Sequence, residues 1–364
     1  MLTFYEYHLP FSRPLKTAVS EFSHRTGIIL RYKNQHFDLL SEASPLPGFS
    51  PETDQQIKRE LLKNQENLNS FLQSGFSLTE LKIFLDEIPP FPSLQFSVSF
   101  LGLAILSKRH ITGIGNLLGL KPAKQLSVNE IISHGNPETI LSQIDDAIKC
   151  GFSTIKIKTA SPIGQLAAVL KKACEKHSEI QFRLDANQSW PKEKINEYSL
   201  QFSGLPIQYI EEPARISSPT ELQDLQKKSV LPLAMDESID SPEKLQAFLQ
   251  ADPDLFVVIK PMLFGNFLNL VETISKNRSN HKNVVVTTAL ESKIGRTMAA
   301  VAASLIGDPA TAHGLNTGHF FEQDLFTDFP QVKNGIIRDP MAEYQLCSFQ
   351  NIEHSLIKQL DHNT

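Results

Sequence analysis

From about residue 120 to residue 315, this 364-residue chain alternates short β-type runs with amphipathic helical runs, and that rhythm restricts its fold more than any other feature. The β-type runs are STIKIK, IQFRLDAN, QYIEEP, LPLAMDES, DLFVVIKP, NVVVTTALES and the short ATAHGL. Helical runs such as PIGQLAAVLKKACEKH, SPEKLQAFLQ and NFLNLVETISKN separate them, with short connections. Parallel strands need a crossover of about a dozen residues, and a helix is the usual one. QLSVNEII, ahead of the amphipathic helix PETILSQIDDAIKCG, supplies an eighth strand. Eight strands with intervening helices are expected to close into a barrel. An open doubly wound sheet is the alternative, but its Gly-rich phosphate turn after an early strand is missing from the sequence.

The first part of the chain follows a different pattern. LTFYEYHL and GIILRYKNQHFDLLSE read as strands with a turn at Lys33-Asn34-Gln35, and PLPGFS as a loop. Helices are expected from Pro51 onward. One is headed by Ser77, with Glu80 three residues later as a capping box, and another is an apolar helix over Ser93–Ser107. Strands followed by helices suggest a compact α+β unit over residues 1–115, with the barrel over 116–330 and a further segment over 331–364.

Composition narrows the function. Net charge is −5, so no basic surplus points to nucleic acid or an anionic membrane. The three scattered cysteines form no CxxC pair, which fits a reducing, cytoplasmic setting rather than a disulfide framework. The opening MLTFYEYHLP lacks the basic-then-apolar pattern of a secretion signal. The longest uncharged stretch, Ile88–Ser107, is broken by three prolines and is too short to span a bilayer.

Charged residues end five successive strands: Lys158, Asp185, Glu211, Asp236 and Lys260, at intervals of 27, 26, 25 and 24 residues. Each interval is one strand, one helix and two loops. The five side chains therefore recur at one level of the barrel, the level where barrel active sites lie. Strand alternation places Lys156 on the same face as Lys158 and Arg183 on the same face as Asp185, with Asn187 just beyond. It turns Glu212 and Glu237 away. Three carboxylates on adjacent strands make a hard oxygen site suited to Mg²⁺, with Mn²⁺ second, and no His or Cys accompanies them as zinc would require. Such a cation can stabilise the charge that develops when a proton leaves the carbon beside a carboxylate. A lysine can take that proton where neighbouring cations lower its pKa. The expected partner is a small-molecule carboxylate.

The motifs TIKIKTA, RLDANQSW, YIEEPA, LAMDES and VVIKP, in this order and at these spacings, resemble those of the enolase superfamily, in particular its muconate-lactonizing subgroup. That resemblance implies a (β/α)7β TIM-like barrel under an N-terminal α+β capping domain, with the C-terminal segment returning to the cap. SEASPLPGFS and TTALESKIG resemble the cap loop and seventh-strand segment of the subgroup's synthases, which dehydrate a cyclohexadiene carboxylate to an aromatic acid. By resemblance, Lys158 is the acid/base, Lys260 stabilises the intermediate from the opposite face, and Asp185, Glu211 and Asp236 bind Mg²⁺. Lys156, Arg183 and Asn187 are expected near the substrate, Lys156 also tuning Lys158.

HGLNTGHF carries Asn316 where the subgroup's dipeptide epimerases have an acid pair, which disfavours that activity. N-acylamino acid racemase activity shares the same site residues, and a non-catalytic carboxylate-binding barrel is a third reading. Other conspicuous residues have structural explanations. Glu291 and Ser292 suit a helix cap, Trp190 suits packing, and His24, His313 and His319 read as structural or loop residues.

Overall fold

Alternating apolar side chains over the first fifty positions build three antiparallel strands, β1 (Leu2–Lys16), β2 (Glu21–Lys33) and β3 (Asp38–Ala43). The computed structural model describes residues 1–16, 21–133, 135–159, 162–252, 255–277, 283–327 and 332–361. The expected boundary between residues 330 and 331 falls outside these described residues. The β2–β3 turn is held by Asn34, whose side-chain oxygen accepts the backbone N–H groups of His36 and Phe37 at 2.8 and 2.9 Å, an Asx turn.

Four helices cover this sheet: α1 (Asp54–Lys63), α2 (Gln65–Gln73), α3 (Leu78–Glu87) and α4 (Pro92–Arg109). The Ser77–Glu80 capping box forms as expected. The polar stretch after Pro51 divides into α1 and α2 at Asn64, which caps the first and begins the second. In α4 the residues from Ser93 to Leu106 are all buried except Gln95, and the carboxylate of Glu52 caps its first turn through the Ser93 N–H and hydroxyl. Among the described residues no helix is long and apolar enough to cross a membrane.

A short helix α5 (Ile114–Leu117) leads into the second unit. QLSVNEII breaks at Val128-Asn129 into β4 (Gln125–Ser127) and β5 (Glu130–Ile132), so it is not the single strand expected. The βα rhythm follows as α6 (Pro137–Lys149), β6 (Thr154–Lys158), α7 (Ile163–Lys176), β7 (Gln181–Asp185), α8 (Ile195–Leu200), β8 (Ile207–Glu211), α9 (Pro219–Gln226), β9 (Leu233–Met235), α10 (Pro242–Ala251), β10 (Phe256–Ile259), α11 (Pro261–Phe264), α12 (Phe267–Asn277), β11 (Val284–Val286) and α13 (Lys293–Ile306).

Strands β5 to β11 form one parallel sheet in sequence order. The last strand expected, ATAHGL, is reduced to two parallel bridges, Val128 with His313 and Thr287 with Gly314. Those bridges join the two sheet edges, with the His313 N–H on Ser127 O at 2.8 Å and the Gly314 N–H on Val286 O at 2.9 Å. The curled parallel sheet with an antiparallel N-terminal sheet is the capped TIM-like architecture. Inside the curl, Tyr209, Ala234, Val258 and Val285 form a small apolar cluster of their own, and the helices cover the outer face. After β12 (Ile336–Arg338), which pairs with β4, and α14 (Pro340–Leu346), the last strand β13 (Ile357–Gln359) pairs with β1 of the N-terminal sheet.

The two units meet where β11 and the His313–Gly314 segment end. Phe11 stacks on Phe321 with ring centres 4.9 Å apart, and the Glu322 N–H donates to Pro10 O. Glu42 of β3, fully buried, accepts the Ser292 N–H at 3.1 Å and the Gly295 N–H at 2.8 Å, along with the hydroxyls of Ser292, Tyr7 and Ser44. The first turn of α13 is thus capped by both Ser292 and a carboxylate from the other unit.

Beside Glu42, burial and the charge of Glu42 push the Glu291 carboxyl up to about 7 from its ordinary 4.5, against Arg25. A folded carboxyl that holds its proton where the unfolded one has released it favours folding at low pH. This contribution is full below pH 4.5 and is lost as pH rises to about 7. Glu291→Gln should abolish that slope, stabilising the protein by up to about 3 kcal/mol at pH 8 and by almost nothing at pH 4.5, as read from urea unfolding at the two pH values.

Candidate active site at the mouth of the barrel

The five strand-end charges gather at the C-terminal mouth of the sheet. Strand register puts Lys158 level with Asp185, and Asp185 level with Glu211. Glu211 is level with Ala234, so Asp236 stands two residues further along, the stagger that tilted strands produce. All three carboxylates are buried. Burying them is expensive unless cations or hydrogen bonds compensate. Lys156 does so with its ammonium 2.6 Å from Glu211 Oε1 and 3.0 Å from Asp185 Oδ2, and Lys260 does so by gripping both oxygens of Asp236.

The carboxylates titrate apart. Burial raises Glu211 most; Lys156 opposes the rise, Asp185 and Asp236 add to it, and the carboxyl stands at about 8. Asp185 is pushed up by burial too, but Lys156 and Lys158 outweigh that and hold it below the ordinary value. Burial disfavours the charge on both buried lysines. The surrounding carboxylates prevail, keeping Lys156 well above and Lys260 above their ordinary values.

Lys158 is placed differently. Its ammonium donates to the neutral amide oxygen of Asn187 at 2.9 Å rather than to a carboxylate. Asn187 adopts φ +42°, a left-handed conformation that Asn tolerates, and its amide nitrogen donates to Glu237 Oε1 at 3.0 Å. Glu237, expected to turn away, therefore faces the site. β9 ends at Met235, so strand alternation no longer governs the two residues after it. The other oxygen of Glu237, like Glu211 Oε2, is buried without a hydrogen-bond partner among the described residues.

Arg183 lies deeper than a substrate contact would. It is fully buried, and its donors go to Gln208 at 2.7 Å, Asn129 at 3.0 Å and Thr311 at 2.9 Å. Phe182 pairs with Ile207 and Arg183 with Tyr209, so Gln208 is the extra residue at this register slip and meets the guanidinium. Trp190 is buried with its N–H on Thr159, and His313 is buried in the sheet seam, both in packing positions.

Glu212, one residue past the end of β8 and left-handed at φ +43°, shapes the site through the loops around it. One oxygen accepts the N–H groups of Asp236 at 2.8 Å and Ser238 at 3.3 Å; the other accepts the Ser238 hydroxyl and the Gln188 amide. It thereby fixes the turn that carries Asp236. Glu212→Ala should leave those buried N–H groups unpaired and cost about 2–4 kcal/mol in urea unfolding, with Glu212→Gln costing less than half as much.

Acidic and lysine side chains from five successive strands thus meet at the mouth of a capped (β/α) barrel. Residues 139–342 match the family model described as enolase C-terminal domain-like, and the chain belongs to that family, within the enolase superfamily. The chain is 25% identical over 333 residues to the o-succinylbenzoate synthase of Aliivibrio fischeri (strain ATCC 700601 / ES114), covering 90% of this chain and 93% of that protein. It is equally 25% identical over 352 residues to the o-succinylbenzoate synthase of Desulfotalea psychrophila, covering 89% and 95%. Among solved structures, the muconate lactonizing enzyme of Pseudomonas fluorescens shares the fold with TM-score 0.77 at 18% identity, over 93% of each chain. The L-Ala-D/L-Glu epimerase of Bacillus subtilis does so with TM-score 0.77 at 20% identity, over 93% of this chain and 96% of that one.

Proposed function

We propose that this protein is an o-succinylbenzoate synthase, converting 2-succinyl-6-hydroxy-2,4-cyclohexadiene-1-carboxylate to o-succinylbenzoate and water in menaquinone biosynthesis. The observation that carries this reading is the unequal state of the three lysines. Lys156 and Lys260 are committed to ion pairs, whereas Lys158 is held by a neutral amide and can release its proton without breaking one.

The donor set fits a magnesium ion, or manganese in its place. Asp185, Glu211 and Asp236 offer only oxygens, and Glu211 Oε2 is a buried acceptor with no partner among the described residues. As the side chains stand, no three acidic, His or Cys groups among the described residues converge on one point, because ammonium groups lie between Asp185 and Glu211 and against Asp236. Asp185, Glu211 and Asp236 would hold the ion once those ammoniums give way, and the ion would supply positive charge to the substrate carboxylate.

Lys158, as the free amine, takes the proton from the ring carbon that bears the carboxylate. The same ammonium then returns it to the departing hydroxyl on that face. The C–H and C–O bonds break, one ring double bond forms, and water leaves. Lys260, on the far side of the carboxylate group, keeps its positive charge throughout and offsets the negative charge that develops. Lys156 balances Glu211 and Asp185 while placing a like charge near Lys158.

Loss of the diene's ultraviolet absorbance on incubation with the protein and Mg²⁺ tests this reading. Turnover with release of o-succinylbenzoate supports it. Solvent deuterium entering an N-acylamino acid at its α-carbon, with the diene untouched, would replace it with a racemase. Binding of a carboxylate with neither reaction would replace it with a non-catalytic barrel.

A further inference from the structure

We propose that Arg25, on β2 of the N-terminal unit, is a positioning residue for the barrel mouth. It fixes the turn after β11, Thr287–Ser292, and so governs how substrate is seated rather than how its proton moves. This rests on the reading above for the substrate but not for the turn itself.

Arg25 is almost wholly buried, and its donors go to backbone carbonyls on both sides of the seam. Nε reaches Leu290 O at 3.1 Å in the barrel. The terminal nitrogens reach Pro45 O and Ser44 O, each at 2.7 Å, and Thr26 O at 3.0 Å in the N-terminal unit. One rigid fork thus ties the Ser44–Pro45 loop to the turn that ends the seventh strand of the parallel sheet, a task a lysine's single ammonium cannot reproduce.

The turn needs tying. Leu290 has φ +62°, a left-handed conformation that a branched side chain adopts only when its surroundings impose it. Three contacts impose it. Arg25 takes the Leu290 carbonyl, Glu291 Oε2 takes the Ala289 N–H at 2.7 Å, and Glu42 takes the Ser292 N–H. Two of the three come from the N-terminal unit. Gly295 allows this crowding, since a Cβ there would lie 2.4 Å from Glu291 Cβ and 3.0 Å from Glu42 Cδ.

The turn also reaches the mouth. Thr287 donates to Gly314 O, and the Thr288 hydroxyl bonds that of Thr317, so the segments after the seventh strand and after Gly314 are pinned together. Lys158 and Asn187 lie on β6 and beyond β7, across the sheet from β11, and none of Arg25's hydrogen bonds reaches them.

Arg25→Lys keeps the charge and loses the fork; Arg25→Gln serves if the lysine variant fails to fold. Hydrogen–deuterium exchange by mass spectrometry on the whole chain reads the turn without any substrate. Amides of 287–292 should exchange about tenfold faster than in the parent, with β6 to β8 unchanged. In steady-state kinetics KM should rise about tenfold, kcat should change less than about threefold, and the pH profile of kcat should not move. Unchanged exchange in 287–292 would overturn the proposal, and so would a fall in kcat at constant KM. If the parent protein shows no turnover at all, the proposed reaction has failed, and the exchange result alone decides the role of Arg25.

Discussion

Lys158→Ala is expected to lower turnover by about a thousandfold or more while the protein stays folded, because general acid–base groups contribute about 10²–10⁴ and the proposed mechanism uses this one twice in a cycle. The structure explains why the fold should survive. Lys158 sits at the end of β6 and gives up a hydrogen bond to Asn187, whereas Lys156, two residues earlier, compensates two buried carboxylates. Lys156→Ala would therefore confuse chemistry with stability, and Lys158→Ala far less, since its charge is the lesser of the two that hold Asp185 ionised. The check is a pair of measurements on one preparation: turnover of the diene, and the thermal melting midpoint, which should move by no more than about 2 °C. Residual activity within tenfold of the parent would remove Lys158 from the role of base.

Glu211→Gln should show the opposite pairing of effects, inactive yet more stable. The parent carboxyl is fully buried and stands at about 8 in the folded protein, far above its ordinary 4.5. Its proton is held more tightly in the folded state, so its stabilising contribution is full below pH 4.5 and is lost as pH rises towards 8. An uncharged amide escapes that cost. The variant should melt higher than the parent at pH 8, with the gain vanishing near pH 4.5, because the parent is then protonated in both states. Lys156 retains Asp185 as a partner at 3.0 Å. Activity should nevertheless fall by about a thousandfold, because the amide removes one of the three carboxylates proposed to hold the ion. Gain of stability with loss of function is the mark of a charge kept for its chemistry.

The barrel was readable from the chain because a βα unit has nearly constant length. The positions of Lys158, Asp185, Glu211, Asp236 and Lys260 recur at 24–27 residues, and each strand ends at its charge or one residue before it. Lys156 was readable through alternation inside β6. Alternation failed where the strand had already stopped: β9 ends at Met235, so Glu237 turned into the site instead of away. Arg183 shares the face of Asp185, but one pleat deeper, where Asn129, Gln208 and Thr311 claim its donors. Periodicity gives a face and not a depth. The last strand was overcounted, since only His313 and Gly314 complete the closure.

The seam between the units was beyond sequence reasoning for a different reason. Glu42 and Ser292 are 250 positions apart, and nothing local in SEASPLPGFS marks its glutamate as the cap of a distant helix. Leu290 likewise gives no sign that its backbone is left-handed, since the residue type argues against it. Glu212 could have been singled out. A buried acid directly after Glu211 needs donors, and the turn after the next strand is where they lie.

Titration of the protein with Mg²⁺ by calorimetry, in parallel with the Asp185→Asn, Glu211→Gln and Asp236→Asn variants, is the most direct test of the central claim that these carboxylates share one ion. The expected result is one ion per chain in the parent and at least a tenfold weaker affinity in each variant. Binding of equal strength in all four proteins, or none in the parent, would contradict it.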